Sequence, residues 1–487
     1  MISLRPSPPL LGGEFGLQLL HRIATQGVWA ASVLLAVCLH STAKSADPAR
    51  GPNIVLILAD DLGYGDIGVH GGKAVPTPNI DALAAAGVRC TSGYVSAPYC
   101  SPSRAGLLTG RYQTRFGHEF NPHVGAEATL GLPLDEVTLA DRLKAAGYAT
   151  GLVGKWHLGF DKKHHPQVRG FDDFYGFLVG AHNFRVTKDG ESKFGTSTAR
   201  NMLYRGNELQ KVDGFATDLF TDEAIAFMKR NKDKPWFLYL AYNAVHTPLE
   251  ISDALKDRVP AGVKDPARRG YLALLLGLDD SIGRIRKHLR EAAAEEDTII
   301  VFMSDNGGSG RKPIFAYNTG DNRPLRGDKG QTLEGGIRVP FVVTWKGKLP
   351  AGTTYDQPVI ALDIVPTACA AAGVKPPANV DGVDLLPHLS GEKKEAPHAA
   401  LFWRFGPQKA VRQGQWALVD WRDLEKKTNS GWQLYDLDKD VGQTTDLAAK
   451  YPERVAELKR AWERWDAQNV APLWHGTPLE DPTAPAK

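Results

Sequence analysis

Along most of the chain, short apolar runs alternate with amphipathic stretches, and polar clusters stand where the runs stop. The segment Asn53 to Leu58 is apolar from its second residue and ends abruptly at Asp60-Asp61, the pattern of a strand buried on both faces. A helix follows, with Thr77 as its cap, Pro78 in its first turn, an Ala- and Leu-rich body to Ala86 and Gly87 as its stop. The same unit recurs as a helix from Leu139 to Ala146, a stop at Gly147, a strand from Tyr148 to Val153 and the segment Gly154 to Gly159. Trp236 to Tyr242 predicts a strand. Ala267 to Ala292 predicts a long helix, because Tyr271, Leu275, Leu278, Ile282, Ile285 and Leu289 keep a helical period. Thr298 to Met303 predicts another buried strand, ending in Ser304-Asp305-Asn306-Gly307-Gly308.

Alternating strands and helices predict an α/β domain, a mainly parallel sheet with helices on both faces. In such sheets ligands bind beyond the carboxyl ends of the strands. Asp60 and Asp61, Lys155 and His157, His246, and Asp305 and Asn306 all follow predicted strands directly or by a few residues, so four separate segments can converge on one rim. After Gly373 the texture changes. Pro376, Pro377, Pro387 and the charged run Glu392 to Glu395 suggest a linker. Beyond it, Leu401 to Phe405, Ala410 to Arg412, Trp416 to Trp421 and Trp432 to Leu437 predict a small antiparallel sheet, and Pro452 to Gln468 a closing helix.

The amino terminus reads differently. Arg5 and Arg22 precede an apolar run from Val28 to Leu39 and the small-residue stretch Ser41 to Ala46, the order of a secretory signal peptide. The run is about a dozen residues, short of the roughly 20 that span a bilayer, which argues against a stable membrane anchor. The expected organisation is therefore a signal peptide at 1–46, a main domain at 47–390 and a small α+β domain at 391–487, with the protein exported to a periplasmic or extracellular location. Loss of residues 1–46 leaves 55 basic against 54 acidic side chains. No basic excess remains to favour nucleic acid, so an anionic substrate must be attracted locally. Of four cysteines, Cys38 leaves with the signal. Cys90 and Cys369, in apolar surroundings, read as buried free thiols, whereas Cys100 lies in a polar, Pro-rich segment.

Asp60, Asp61, Asp305 and Asn306 offer oxygen ligands without His or Cys at zinc spacing, which favours calcium or magnesium. An Asp pair after a strand also serves commonly as a turn or helix cap. Cys100-Ser101-Pro102-Ser103-Arg104 opens a predicted helix through Thr109, stopped by Gly110. A cysteine there faces unpaired N–H groups and Arg104, a setting for anionic chemistry; a plain buried or redox thiol is the alternative.

The full string from Cys100 to Tyr112, CSPSRAGLLTGRY, closely resembles the signature of the type I sulfatases, formylglycine-dependent enzymes of the alkaline phosphatase superfamily. The resemblance runs from Asn53 to about Gly391 and takes in Leu58 to Asp66, Gly154 to Gly159, His246-Thr247-Pro248, Ser304 to Gly308 and Pro324 to Pro340. It implies an alkaline-phosphatase-like large mixed sheet flanked by helices, with a small C-terminal antiparallel sheet plus helix. It implies hydrolysis of sulfate monoesters, of a small molecule or, given export and near-neutral charge, of a carbohydrate. The maturation enzyme of the family oxidises the motif cysteine to formylglycine during export, and the hydrated aldehyde supplies the nucleophilic oxygen.

Carried over residue by residue, the resemblance makes Asp60, Asp61, Asp305 and Asn306 ligands of one calcium ion, with modified Cys100 beside it. Magnesium suits the site less. Arg104 and Lys155 hold the diol and offset charge. His157 takes the proton of the second hydroxyl, expelling sulfate and regenerating the aldehyde. His246 and Lys329 contact the sulfate and the bridging oxygen, and His182 stands where related sequences place a substrate contact. The chain departs from the family's Gly-Gly-Lys-Gly with Gly327-Asp328-Lys329-Gly330, putting a carboxylate that either points away from Lys329 or tunes it. Arg338 reads as structural. Two rivals remain open at this point: a phosphonate or phosphodiester hydrolase using the same modified cysteine, and a catalytically silent sulfate-ester binding protein.

Overall fold

The computed structural model describes residues 51–122, 129–190, 202–310, 317–423 and 426–477; the expected signal segment 1–46 lies outside them. The apolar runs form the middle of a ten-stranded sheet. Its strands are β1 (Asn53–Ala59), β2 (Val88–Cys90), β3 (Ala149–Lys155), β4 (Asp173–Phe177), β5 (Leu203–Arg205), β6 (Glu208–Gln210), β7 (Trp236–Ala241), β8 (Thr298–Ser304), β9 (Phe341–Trp345) and β10 (Thr353–Tyr355). Their order across the sheet is β10-β2-β9-β8-β1-β7-β3-β4-β5-β6. From β8 to β4 all neighbours are parallel, whereas β8–β9, β9–β2, β4–β5 and β5–β6 are antiparallel. The sheet is therefore mixed: its covered central strands are parallel, and one further parallel pair, β10–β2, stands at an edge.

Period-two alternation within β1 divides the core. Ile54, Leu56 and Leu58 pack with Leu107, Leu108 and Ile364 on one face. Val55, Ile57 and Ala59 pack with Phe220, Leu275 and Ile282 on the other. Helices α1 (Pro78–Ala85), α2 (Cys100–Thr109), α3 (Leu139–Ala145), α4 (Ala216–Arg230), α5 (Pro266–Glu291) and α6 (Ile364–Ala371) supply these layers. Among the described residues no helix is long and apolar enough to cross a membrane. A four-stranded antiparallel sheet, β11 (Leu401–Phe405), β12 (Gln408–Gln413), β13 (Trp416–Asp420) and β14 (Gln433–Asp436), lies with α7 (Pro452–Asp466).

One expected cap is different in kind. Thr77 precedes α1 but caps no helical N–H; its hydroxyl accepts from Gly68 N at 2.8 Å and lies 3.2 Å from Asp81 Oδ1, so it ties the preceding loop to the helix. The first helical donors are already taken, Asn79 N and Ile80 N by Asp279 Oδ1 at 3.0 and 2.8 Å, which leaves the Thr77 hydroxyl to the loop.

Candidate active site

The carboxyl ends of β1, β3, β7 and β8 each deliver one or two polar groups to a common point. Asp60 and Asp61 follow β1, Lys155 ends β3, His246 lies five residues beyond β7, and Asp305 and Asn306 follow β8. Backbone pairing sets their register: Asp305 N donates to Ala59 O at 3.0 Å and Asp60 N to Ala244 O at 2.9 Å. Asp61 has a left-handed φ of 61°, and its N–H reaches Asp305 Oδ1 at 3.1 Å. A carboxylate in that conformation is costly for the backbone and is retained where neighbours over-determine it.

Helix α2 aims Cys100 and Arg104 at the same point. It starts at Cys100 and ends at Gly110 with φ 72°, the left-handed stop that glycine adopts without strain. The Cys100 sulfur lies 3.8 Å from Asp60 Oδ1 and 3.9 Å from Asp61 Oδ1. Arg104, fully buried one turn on, donates through Nε and a terminal nitrogen to Asp305 Oδ2 at 3.0 and 2.7 Å and stands 3.7 Å from Asp60 Oδ1. Lys155 Nζ meets Asp60 Oδ2 at 2.7 Å. Lys329 Nζ meets both Asp61 oxygens, at 2.7 and 2.8 Å, and lies over the Tyr99 ring. Three buried carboxylates thus face three buried cations, the arrangement that keeps the desolvation of each charge tolerable.

His246 turns Nδ1 to Thr247 O at 2.6 Å, which places the proton on that nitrogen and leaves Nε2 facing Asp61 Oδ2 at 3.6 Å. His157, at a left-handed φ of 58°, is 4% exposed, and its Nδ1 is buried without a partner. Its ring packs on Gly180, where a Cβ would approach Nε2 to 2.6 Å; only glycine leaves the imidazole its place. Burial, with Lys155 and Arg104 nearby, holds the His157 imidazole well below its ordinary pKa and therefore neutral. Burial also lowers His246, against the pull of Asp60 and Asp61. For Asp60, burial works upward, but Lys155, His246 and Arg104 hold the carboxyl below its usual value.

Cys100 departs from the expectation of an activated thiol. Burial pushes it up to about 12 in spite of Lys155 and Lys329, so the helix start does not furnish a thiolate at neutral pH. Cys90, Cys100 and Cys369 are all free and buried.

The donors are compatible with a metal ion. One ligand atom each from Asp60, Asp61, Cys100 and His246 lie within 4.8 Å of one another. Asn306 donates from Nδ2 to Asp61 Oδ1 at 2.7 Å, while its Oδ1 is buried with no hydrogen-bond partner, an acceptor oriented for something other than protein. His246, expected at the substrate, joins this cluster.

Three further residues singled out from the sequence lie away from this cluster's ligand atoms. Both ring nitrogens of His182 face backbone carbonyls, Asn183 O at 2.6 Å and Met202 O at 3.1 Å, and the ring is buried against Phe177. Asp328 turns its carboxylate away from Lys329, accepting from Gly310 N at 3.3 Å and Asn322 Nδ2 at 3.2 Å. Arg338 donates to Thr91 O and Glu334, a structural bridge. Asn318 was not anticipated; its Nδ2 donates to Asp61 O at 2.9 Å and Val245 O at 3.2 Å, tying two rim loops together. A lone Asn in a loop carries no sequence signal for that task.

The model of the sulfatase family matches residues 52–374, and that of the N-sulphoglucosamine sulphohydrolase C-terminal region matches 327–466. The N-acetylgalactosamine-6-sulfatase of Sus scrofa is 36% identical over 386 residues, 76% of this chain and 72% of that protein. The steryl-sulfatase of Homo sapiens is 33% identical over 432 residues, 73% of this chain and 72% of that one. Among solved structures, Ps i-CgsB is similar at 36% identity and a TM-score of 0.79, covering 88% of this chain and 96% of its own; it is also solved in complex with k-i-k-neocarrahexaose.

Proposed function

The chain belongs to the sulfatase family of sulfuric ester hydrolases, and from that premise we propose that it cleaves sulfate monoesters of carbohydrates through a nucleophile made from Cys100 beside one calcium ion. The observation that carries this reading is the position of Cys100: its sulfur stands within 4 Å of Asp60 and Asp61, yet burial keeps the thiol protonated. A thiol so placed is poor as it stands. Oxidation to formylglycine by a maturation enzyme during export replaces it with an aldehyde whose hydrate supplies the attacking hydroxyl.

Asp60, Asp61, Asp305 and Asn306 would hold the calcium, which when bound supplies Lewis-acid polarisation of the sulfate oxygens. The remaining work falls to the chain's own side chains. Arg104 and Lys155 fix Asp305 and Asp60 and offset charge around position 100. Neutral His157, with Nδ1 unengaged, is suited to take a proton from the hydroxyl left on residue 100. Lys329, an ammonium, brings positive charge to the sulfate and is suited to pass a proton to the departing alcohol, while His246, with its own proton on Nδ1, turns an unprotonated Nε2 to the same point.

A carbohydrate substrate is favoured by the names of the relatives, one an N-acetylgalactosamine-6-sulfatase, and by the neocarrahexaose complex. The test is release of inorganic sulfate from sulfated oligosaccharides, run beside nitrophenyl sulfate and bis-nitrophenyl phosphate. Sulfate release from the sugars with little diester cleavage is expected. A strong preference for the phosphodiester would overturn the reading.

A further inference from the structure

Lys329 reaches the site on a long flexible side chain, so where its ammonium ends depends on what fixes the backbone beneath it. Lys329 N donates to Gly308 O at 3.2 Å, and Gly330 N donates to Pro98 O at 2.9 Å, two residues before Cys100. Gly330 has a φ of 85°, a turn that bends the chain sharply just after the lysine. The far side of this turn is held by the small sheet. Gln408, the first residue of β12 and 1% exposed, donates from Nε2 to Gly330 O at 2.7 Å. Its Oε1 accepts from Thr332 N at 3.3 Å and from Arg422 N at 3.1 Å. Gln331 completes the bracket, accepting from Asp328 N at 3.1 Å and donating to Arg422 O at 2.9 Å.

We infer that Gln408 is a positioning residue for Lys329: one buried amide of the small sheet grips both sides of the turn that carries the lysine and sets its reach to the sulfate. A carboxamide is suited to the task because it offers a donor and an acceptor at once without adding charge beside Asp61 and Lys329. The small sheet then contributes to catalysis without touching substrate. The inference rests on the proposed contact of Lys329 with the sulfate.

A double-mutant cycle on the full chain, with nitrophenyl sulfate as probe, tests it. Gln408→Met keeps length and removes all three bonds; a shift of the turn by about 1 Å would lower kcat/KM on the order of 10- to 100-fold. On a Lys329→Ala background the same change is expected to cost less than about twofold, within the scatter of independent sites. A merely structural role would not distinguish the two backgrounds. Should Gln408→Met not fold, judged by its melting curve, Gln408→Glu in mildly alkaline buffer carries the cycle, since it keeps the acceptor and repels Gly330 O. Equal losses on both backgrounds, or no loss on the parent, would overturn the inference. Full activity of Lys329→Ala alone would instead sink the reading of Lys329 itself.

Discussion

The rim of the large sheet and the small carboxyl-terminal sheet are both buried, but ion pairs dominate the first and aromatic rings the second. At the rim, Asp60, Asp61 and Asp305 are bonded to Lys155, Lys329 and Arg104, all at or near zero exposure. In the small sheet rings do much of the holding, beside the pairs that Arg404 makes with Glu119 and Asp466 at 2.7 Å. Trp403 Nε1 donates to Val95 O at 2.7 Å, Trp462 Nε1 to Trp403 O at 2.9 Å, and Phe402 stacks on Trp465 with centroids 5.4 Å apart. Buried ion pairs add little net stability because each charge must first be stripped of water. Aromatic burial adds much at little risk. The rim is therefore specialised for chemistry and the small sheet for stability, with Gln408 as the point where the second serves the first.

The largest effect expected at the rim is on turnover. Cys100→Ser should melt close to the parent yet show no activity when made in a host that modifies only cysteine; retained full turnover would place the nucleophile elsewhere. Next come two substitutions of similar thermodynamic size and different meaning. Trp462→Ala should cost about 3–5 kcal/mol by denaturant titration, while kcat per folded molecule stays as it was. Arg104→Leu strands Asp305 and should cost about 3–5 kcal/mol as well, but the molecules that remain folded should also be inactive. If the tryptophan variant lost kcat in the same proportion as the arginine variant, the division of labour would be wrong.

Calcium should matter to a lesser degree. At 100 times its dissociation constant a bound ion adds roughly 2.7 kcal/mol, so chelation should lower the melting temperature and readdition of calcium restore it. A melting curve indifferent to both would count against the oxygen cluster as a cation site.

The smallest effect is a pH dependence away from the rim. His398 Nε2 lies 2.8 Å from Asp363 Oδ1; burial alone would lower the imidazole, but the carboxylate outweighs it and holds it above its ordinary value of 6.5. A pKa raised on folding gives stability that is complete below the unfolded value and is lost as pH rises through the folded one. Melting temperature should fall as pH rises past 6.5, and His398→Gln should flatten that trend. An unchanged slope in the variant would remove the ion pair from the account.

Much of the rim was legible because its residues carry type and spacing together: Asp60 and Asp61 after one strand, Asp305 and Asn306 after another, and Cys100 and Arg104 one helical turn apart. Central strands showed as unbroken apolar runs for the same reason. Short strands such as β2 and the edge strand β10 did not, since three residues hold no period. Gln408 was invisible for a physical reason: its bonds are all to backbone atoms, 14, 76 and 78 positions away, and backbone partners leave no mark on residue type. The state of the Cys100 thiol stayed open between an activated and a plain buried one because helix position and neighbouring cations can be read from sequence, whereas complete burial, the larger influence, cannot.

The central claim is that residue 100 works as an oxidised cysteine. A peptide mass spectrum across Cys90 to Arg104 of the active protein, with an aldehyde-reactive tag, measures this directly. The account predicts a tagged aldehyde at position 100 with Cys90 unmodified. Active protein carrying only a thiol at Cys100 would contradict it.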